Sequence, residues 1–156
     1  MPDWLTHSLL GWITGKTSKQ DVALVVIGSL IPDLVKIALL FTWLGVNDVS
    51  VFEPLHTPVG AFLIAGMIAI FFQEPKTAVL PLGIGIITHF ILDFFLVHTH
   101  PTLKLLFPFS WEEWQYSLIR SDDYRMTIVA ILAALLIYMV FWWYENRTHS
   151  PRQGKT

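Results

Sequence analysis

Two side chains in one of the most apolar stretches of the chain, His89 and Asp93, could do chemistry together. They are four residues apart, so on a helix they share one face and can hold one metal ion or pair with each other. Ionisable groups are costly to bury in hydrocarbon, and a pair at this depth marks a functional site by default. His7, Asp33 and His56, also in or beside apolar segments, are its candidate partners.

This set of residue types favours a metal site. A catalytic zinc site needs about three protein ligands of His or carboxylate type and an open position for water. His89 and Asp93 would supply two ligands from one helix, while His56 and Asp33 would come from neighbouring helices, as in metal sites inside bundles. The ion would lower the pKa of a water molecule to about 7, and a spare aspartate would act as general base.

Three further residues complete the list of candidates. His98 and His100 follow the same apolar segment and are possible metal ligands, and Lys36 could assist catalysis beside Asp33. The cation would be divalent, one or two ions, with zinc as the first choice. Because the chain contains no cysteine, thiolate ligands and disulfides are excluded, and His and carboxylate ligands suit zinc, manganese or iron.

Each residue also has a simpler interpretation. Asp33 could pair with Lys36 one turn away, since buried charges in membranes usually pair. His56 could be a capping or surface residue, His7 an interfacial residue, and His98 and His100 loop residues. His and Asp side chains inside helices also form ion paths and proton relays, which would indicate a transporter or channel.

The composition indicates a membrane protein. Of the 156 residues, 54% are hydrophobic and 14% are charged, against about 25% charged in a soluble domain. Mean hydropathy is +0.57. The net charge of −2 and the lack of a basic patch argue against nucleic acid as a partner, which leaves membrane lipid.

The hydropathy pattern predicts an all-α, polytopic bundle of about four transmembrane helices, at residues 22–45, 59–72, 77–97 and 127–144. Residues 1–14 predict a short amphipathic or re-entrant helix, and 111–119 an interfacial helix within the 98–126 connection. We expect Pro32 to kink the first span, and Thr57 with Pro58 to start the second. Residues 1–146 would form one domain, followed by a polar tail, 147–156.

Basic residues are unequally divided between the two sides that four spans would create. Lys104, Arg120 and Arg125 fall on one side, and the side carrying both termini has a larger set: Lys16, Lys19, Lys76, Arg147, Arg152 and Lys155. The positive-inside rule therefore predicts that both termini are cytoplasmic. His56 and Asp93 would then lie near the outer face.

The order of short motifs resembles a known family. The motifs are Thr6-His7-Ser8, Pro32-Asp33, His56-Thr57, Thr88-His89, Leu92-Asp93 and Pro108-Phe109-Ser110. In this order they resemble the small bacterial and archaeal membrane-bound metal-dependent hydrolases of the DUF457, or LexA-binding inner-membrane hydrolase, family. The resemblance covers nearly the whole chain to about Ser110 and implies a helical inner-membrane protein with a hydrolase metal site.

The His89–Asp93 spacing is also similar to a motif of zinc-dependent phospholipase C and P1 nuclease. That likeness implies a first metal on His56, His89 and Asp93, a second on His7 and Asp93, and Asp33 as base or ligand. This chain has no second His-x-x-x-Glu or His-x-x-x-Asp motif downstream. We therefore expect a membrane hydrolase acting on a phosphoester or other ester of a lipid, with an ion or proton transporter, or a regulatory membrane protein, as rival hypotheses.

Overall fold

The computed structural model describes residues 4–46, 50–97, 103–114, 116, 119–120 and 124–148. The α-helices are α1 (Trp4–Ser18), α2 (Val22–Leu30), α3 (Ile37–Trp43), α4 (Pro58–Ala69), α5 (Pro75–Phe94) and α6 (Tyr124–Thr148). Two 3₁₀ helices, η1 (Pro32–Lys36) and η2 (Ser50–His56), precede α3 and α4. A two-residue parallel ladder joins β1 (Leu96–Val97) to β2 (Ile119–Arg120). Apart from this ladder, the regular structure of the described residues is helical, as predicted.

The helices are consistent with a membrane protein. α5 and residues 124–147 of α6 are each long and apolar enough to cross a membrane. The pairs α2 with η1–α3, and η2 with α4, would each pass the same test if counted as one bent span. The structure therefore provides two to four candidate spans.

Local sequence explains where the helices start and break. The Asp21 carboxylate accepts a hydrogen bond from Leu24 N–H at 3.1 Å and caps α2. Thr57 caps α4 in the same way through Gly60 N–H, also at 3.1 Å, with Pro58 in the first turn as predicted. Pro32 has no N–H to continue α2, and the chain bends there by 41°. The predicted kink is confirmed.

The centre of the bundle is the contact between α2 and α5. A Cβ atom at Gly28 would overlap the Leu82 backbone, and one at Gly85 would overlap the Val25 carbonyl oxygen. Only glycine permits this approach, as is common where membrane helices pack closely. Because Gly85 meets Val25 and His89 meets Ser29, the two helices run in the same direction.

α1 lies antiparallel to α2 and carries α6 on its other side. The hydroxyls of Thr6 and Thr127 are 3.0 Å apart, and Ala130 and Ala134 are buried. Most remaining side chains of α6 are exposed large hydrophobic residues, which suits contact with lipid. Residues near the start of α1 contact residues near the start of α6, and later residues contact later ones. The two helices are therefore parallel, with the Trp4 end of α1 beside the start of α6.

The segment before α6 departs from the sequence prediction. Residues 111–114 and 116 are not helical, so the interfacial helix predicted at 111–119 is not found among its described residues. Their backbone bonds to distant groups: Trp114 N–H donates to Leu103 O at 2.8 Å, and Tyr116 N–H to Phe94 O at 2.9 Å. Two boundaries also shift, since α1 continues to Ser18, beyond residue 14, and α6 continues into the predicted tail.

Candidate metal centre

Four elements bring their polar side chains to one buried point. α1 supplies His7, η1 supplies Asp33, η2 supplies His56, and α5 supplies His89 and Asp93. Each of these side chains is at most 3% exposed. The breaks between α2 and α3, and between η2 and α4, both lie here, so the irregular backbone at these breaks carries two of the candidate ligands.

A backbone contact orients the His89 ring and identifies Nδ1 as a nitrogen that carries a proton. Its Nδ1 atom lies 2.7 Å from the carbonyl oxygen of Ser29. A carbonyl oxygen only accepts hydrogen bonds, so Nδ1 carries the proton and donates it. In the neutral ring, Nε2 therefore presents a lone pair, which is the arrangement found when a second partner orients a metal-binding histidine.

That lone pair points to two other potential ligand atoms. His89 Nε2 is 3.2 Å from Asp93 Oδ2 and 3.3 Å from His56 Nε2, and His56 Nε2 is 3.0 Å from Asp93 Oδ2. A tetrahedral ion with bonds of about 2.0–2.1 Å would separate its ligands by about 3.3 Å. The three atoms therefore form a triangle of the size that one zinc-like ion requires, and the predicted sharing of a face by His89 and Asp93 is confirmed.

A second group adjoins the first. Ligand atoms of His7, Asp33 and His89 also lie within 4.8 Å of one another. The His7 ring stacks on the His89 ring, with centroids 3.9 Å apart, and its Nε2 is 3.4 Å from Asp93 Oδ1. Among the described residues, His7 Nε2 and Asp33 Oδ1 are buried without a hydrogen bond. Buried polar atoms usually have partners, so both atoms are suited to a cation.

The charges of the cluster also favour a cation. Lys36 Nζ lies 2.6 Å from Asp33 Oδ2. Asp33 therefore does pair with Lys36, as the simpler interpretation predicted, but only through one of its two carboxylate oxygens. Lys36 is 17% exposed and its Nζ lies 5.7 Å from the centroid of the Trp4 ring, toward the exterior. With neutral histidines, two carboxylates and one ammonium leave one net negative charge, which a buried site must offset.

Sequence reasoning did not identify Ser29 as a supporting residue. It is fully buried, its carbonyl holds His89, and its hydroxyl donates to His7 O at 3.1 Å. The only available signal in the sequence was its position four residues before Asp33, which would place both residues on one face of a helix. The prediction placed His98 and His100 at this site as well, but both lie outside the described residues.

Comparisons with known proteins give no match. No protein-family model matches the chain, and the searches of the curated proteins and of the solved structures found no match. The fold and the site alone define the class of molecule. It is a helical protein with candidate membrane spans and buried His/Asp groups that could hold a metal ion.

Proposed function

We propose that the chain is a membrane-embedded, metal-dependent hydrolase that acts on a phosphoester or other ester of a membrane lipid. The observation that carries the proposal is the triangle of His56 Nε2, His89 Nε2 and Asp93 Oδ2, with sides of 3.0–3.3 Å. Three protein ligands of this type with room for a further one are the pattern of catalytic zinc sites. The family resemblance of the motifs supports the same activity.

A second ion would lie between the remaining ligands. Asp93 directs Oδ2 to His56 and His89 and Oδ1 to His7, so one carboxylate could serve two ions. Asp33 Oδ1 would complete the second set, because it is buried and makes no hydrogen bond among the described residues. Paired ions about 3.5–4 Å apart are common in enzymes that hydrolyse phosphoesters.

The chain's own residues would then have separate tasks. A bound divalent ion supplies Lewis acidity toward the ester oxygen and toward water. With one ion bound, Asp33 would accept a proton through Oδ1, and with two ions the same oxygen would be a ligand instead. In both cases Lys36 holds Oδ2 at 2.6 Å and keeps the carboxylate oriented. Lys36 is also the charged side chain that reaches from Asp33 toward the exposed Trp4, where it would meet an anionic headgroup.

Charge and helix direction together support a proposed orientation in the membrane. Lys16, Lys19, Lys76 and Arg147 belong to the bundle end opposite the metal centre. By the positive-inside rule we place this end, with the C-terminal tail, in the cytoplasm of an inner-membrane protein. Because α1 and α6 are parallel, Trp4 belongs to the other end, so we propose a cytoplasmic location only for the C-terminal tail and not for both termini.

The proposal is tested by the metal content of the detergent-purified protein, measured by mass spectrometry of the elements. We expect bound zinc in the wild type and its loss in His89→Ala and in Asp93→Ala, because each removes one ligand of three. His149→Ala in the tail is the control and should keep its metal. Full occupancy in both site variants, with the protein folded, would leave the cluster as a set of structural hydrogen bonds.

Hydrolysis must be measured with the same samples. The metal-loaded protein should release headgroups or acyl chains from phospholipid in mixed micelles, and His89→Ala should not. A metal-loaded wild type without hydrolysis of any phospholipid ester would contradict the enzymatic part of the proposal while leaving the metal site intact.

One observation favours a second candidate function, transport of a metal ion or proton. Both bent helix pairs, at 41° and 79°, break beside the cluster. Broken helices at a buried ion site are typical of transporters, where they bind ions near the middle of the membrane. Ion or proton flux into liposomes that carry the protein, abolished by Asp93→Asn and unaccompanied by lipid hydrolysis, would establish this alternative.

A further inference from the structure

A pocket lies between α1 and α6 at the end of the bundle opposite the metal centre. Its cavity volume is about 70 Å³, it is open to the exterior, and it is lined by two charged and four aromatic side chains: Trp12, Lys16, Tyr138, Phe141, Trp142 and Glu145. None of these residues belongs to the His/Asp cluster.

The sequence of α6 explains why the pocket opens there. On the stripe of α6 that faces α1, Thr127, Ala130 and Ala134 are small, and they permit close packing sealed by the Thr6–Thr127 contact of 3.0 Å. One turn further on, the same stripe carries the bulky Tyr138 and Phe141. These large side chains line the pocket beyond the close contact, together with Lys16 and Glu145.

The position of the pocket along α6 corresponds to the surface of a bilayer. Trp142, Trp143 and Tyr144 form the aromatic end of an apolar helix, and aromatic side chains of this kind collect at the headgroup level. α1 ends beside them in exposed polar residues, Thr17 to Lys19. A lipid whose acyl chains lie along α6 would therefore present its headgroup to this pocket.

Among the described residues that line the pocket, one side chain is a cation and one is an anion. Lys16 is the cation that lines it, because Arg147 is placed outside, over the Trp143 ring at 4.0 Å from its centroid. Glu145 supplies a carboxylate, and the rings of Trp12 and Trp142 supply faces that attract a cation. A ligand with one anionic and one ammonium group fits this arrangement, whereas a purely anionic headgroup would meet Glu145.

We propose that this pocket binds the headgroup of a phosphatidylethanolamine lipid, with the phosphate on Lys16 and the ammonium between Glu145 and the Trp rings. The ammonium of this headgroup has N–H donors for the carboxylate, which a trimethylated headgroup lacks. The site goes beyond the proposed hydrolase function and does not depend on it, since it shares no residue with the metal centre.

The test uses the full chain in detergent, incubated with equal amounts of phosphatidylethanolamine, phosphatidylcholine and phosphatidylglycerol that carry identical acyl chains. Native mass spectrometry then counts the lipids that remain bound. We expect phosphatidylethanolamine to be retained about tenfold better than either competitor, as one charge-assisted contact gives. Lys16→Gln should lower the retention of all three lipids, because each carries a phosphate. Trp142→Leu should lower the retention of the two lipids that carry an ammonium group, and Glu145→Gln should lose the discrimination against both competitors.

The chain offers matched controls for these variants. Lys19→Gln removes the same charge from an exposed residue at the same end, and Trp143→Leu removes the same ring from a residue outside the pocket. Both should retain lipid like the wild type. Equal retention of the three lipids, a preference for phosphatidylglycerol, or equal losses in Lys16→Gln and Lys19→Gln would overturn the assignment. Helicity and the thermal unfolding of each variant confirm that it is folded.

Discussion

The contact of His89 Nδ1 with the Ser29 carbonyl oxygen, at 2.7 Å, separates two roles of one side chain. Nδ1 joins α5 to α2, whereas Nε2 faces His56 and Asp93. Loss of the first role would affect folding, and loss of the second would affect the metal. A substitution that preserves only the first role can therefore distinguish a ligand from a structural histidine.

His89→Asn is that substitution. Its amide nitrogen can replace Nδ1 as donor to Ser29 O, but it places no atom where Nε2 stood. We expect a folded protein with a melting temperature close to that of the wild type and a metal affinity reduced by more than the factor of about 10–100 typical of a supporting residue. Thermal unfolding and metal titration measure the two effects. Unchanged affinity in this variant would mean that Nε2 is not a ligand.

At the scale of elements, the close approach of α2 and α5 positions the candidate metal centre. A Cβ at Gly85 would overlap the Val25 carbonyl oxygen and lie 2.6 Å from Ser29 N. These are backbone atoms, so only a shift of the whole helix could relieve the overlap. Such a shift would move Ser29 away from His89, one turn further along α5.

Gly85→Ala should therefore lower the free energy of unfolding by about 1–3 kcal/mol, the range for overpacking, and lower metal affinity as well. Gly66→Ala in α4 is the control, because a Cβ there meets nothing within 4 Å. The control should be neutral or slightly stabilising, since alanine is favoured over glycine inside helices by roughly 0.5–1 kcal/mol. Equal stability of the two variants in denaturant titrations would refute the proposed contact.

The α4 cap gives a second prediction at this scale. Thr57 Oγ1 accepts from Gly60 N–H at 3.1 Å and donates to Pro54 O at 2.7 Å, directly after His56. Thr57→Ala should lower the free energy of unfolding by about 1 kcal/mol, the usual cost of a lost cap. Thr57→Ser retains the hydroxyl and should recover most of that stability in the same unfolding measurement. A serine variant as unstable as the alanine variant would show that the methyl group, not the cap, matters.

At the scale of the whole molecule, the parallel packing of α1 and α6 makes topology testable. The chain has no cysteine, so single cysteines can be introduced without background. In intact cells, Trp4→Cys should react with a membrane-impermeant maleimide, whereas Arg147→Cys should react only after permeabilisation. Both residues are exposed. Labelling of the two positions from the same side would contradict the arrangement proposed here.

Much of this fold follows from local signals. The cap at Thr57, the kink at Pro32 and the shared face of His89 and Asp93 depend on residues within one turn of one another, so sequence reasoning predicts them. The Ser29 carbonyl could not be predicted, because a backbone acceptor has no sequence signal. The segment at 111–119 has helical spacing of Trp111 and Trp114, but its described residues bond instead to Leu103 and Phe94, which are distant in sequence.

The length of α6 has a consequence for the bilayer around the protein. Its 25 residues span about 37 Å, whereas the 20 residues of α5 span about 30 Å, the thickness of a typical hydrocarbon core. The apolar part of α6, residues 127–144, spans only about 27 Å, so the polar ends of the helix reach the headgroups and a thicker bilayer favours an upright helix. α6 packs mainly on α1, so a thicker bilayer would bring it upright and narrow its angle to α1. Membrane thickness should thus adjust the pocket between α1 and α6 without disturbing the α2–α5 contact beside the candidate metal centre.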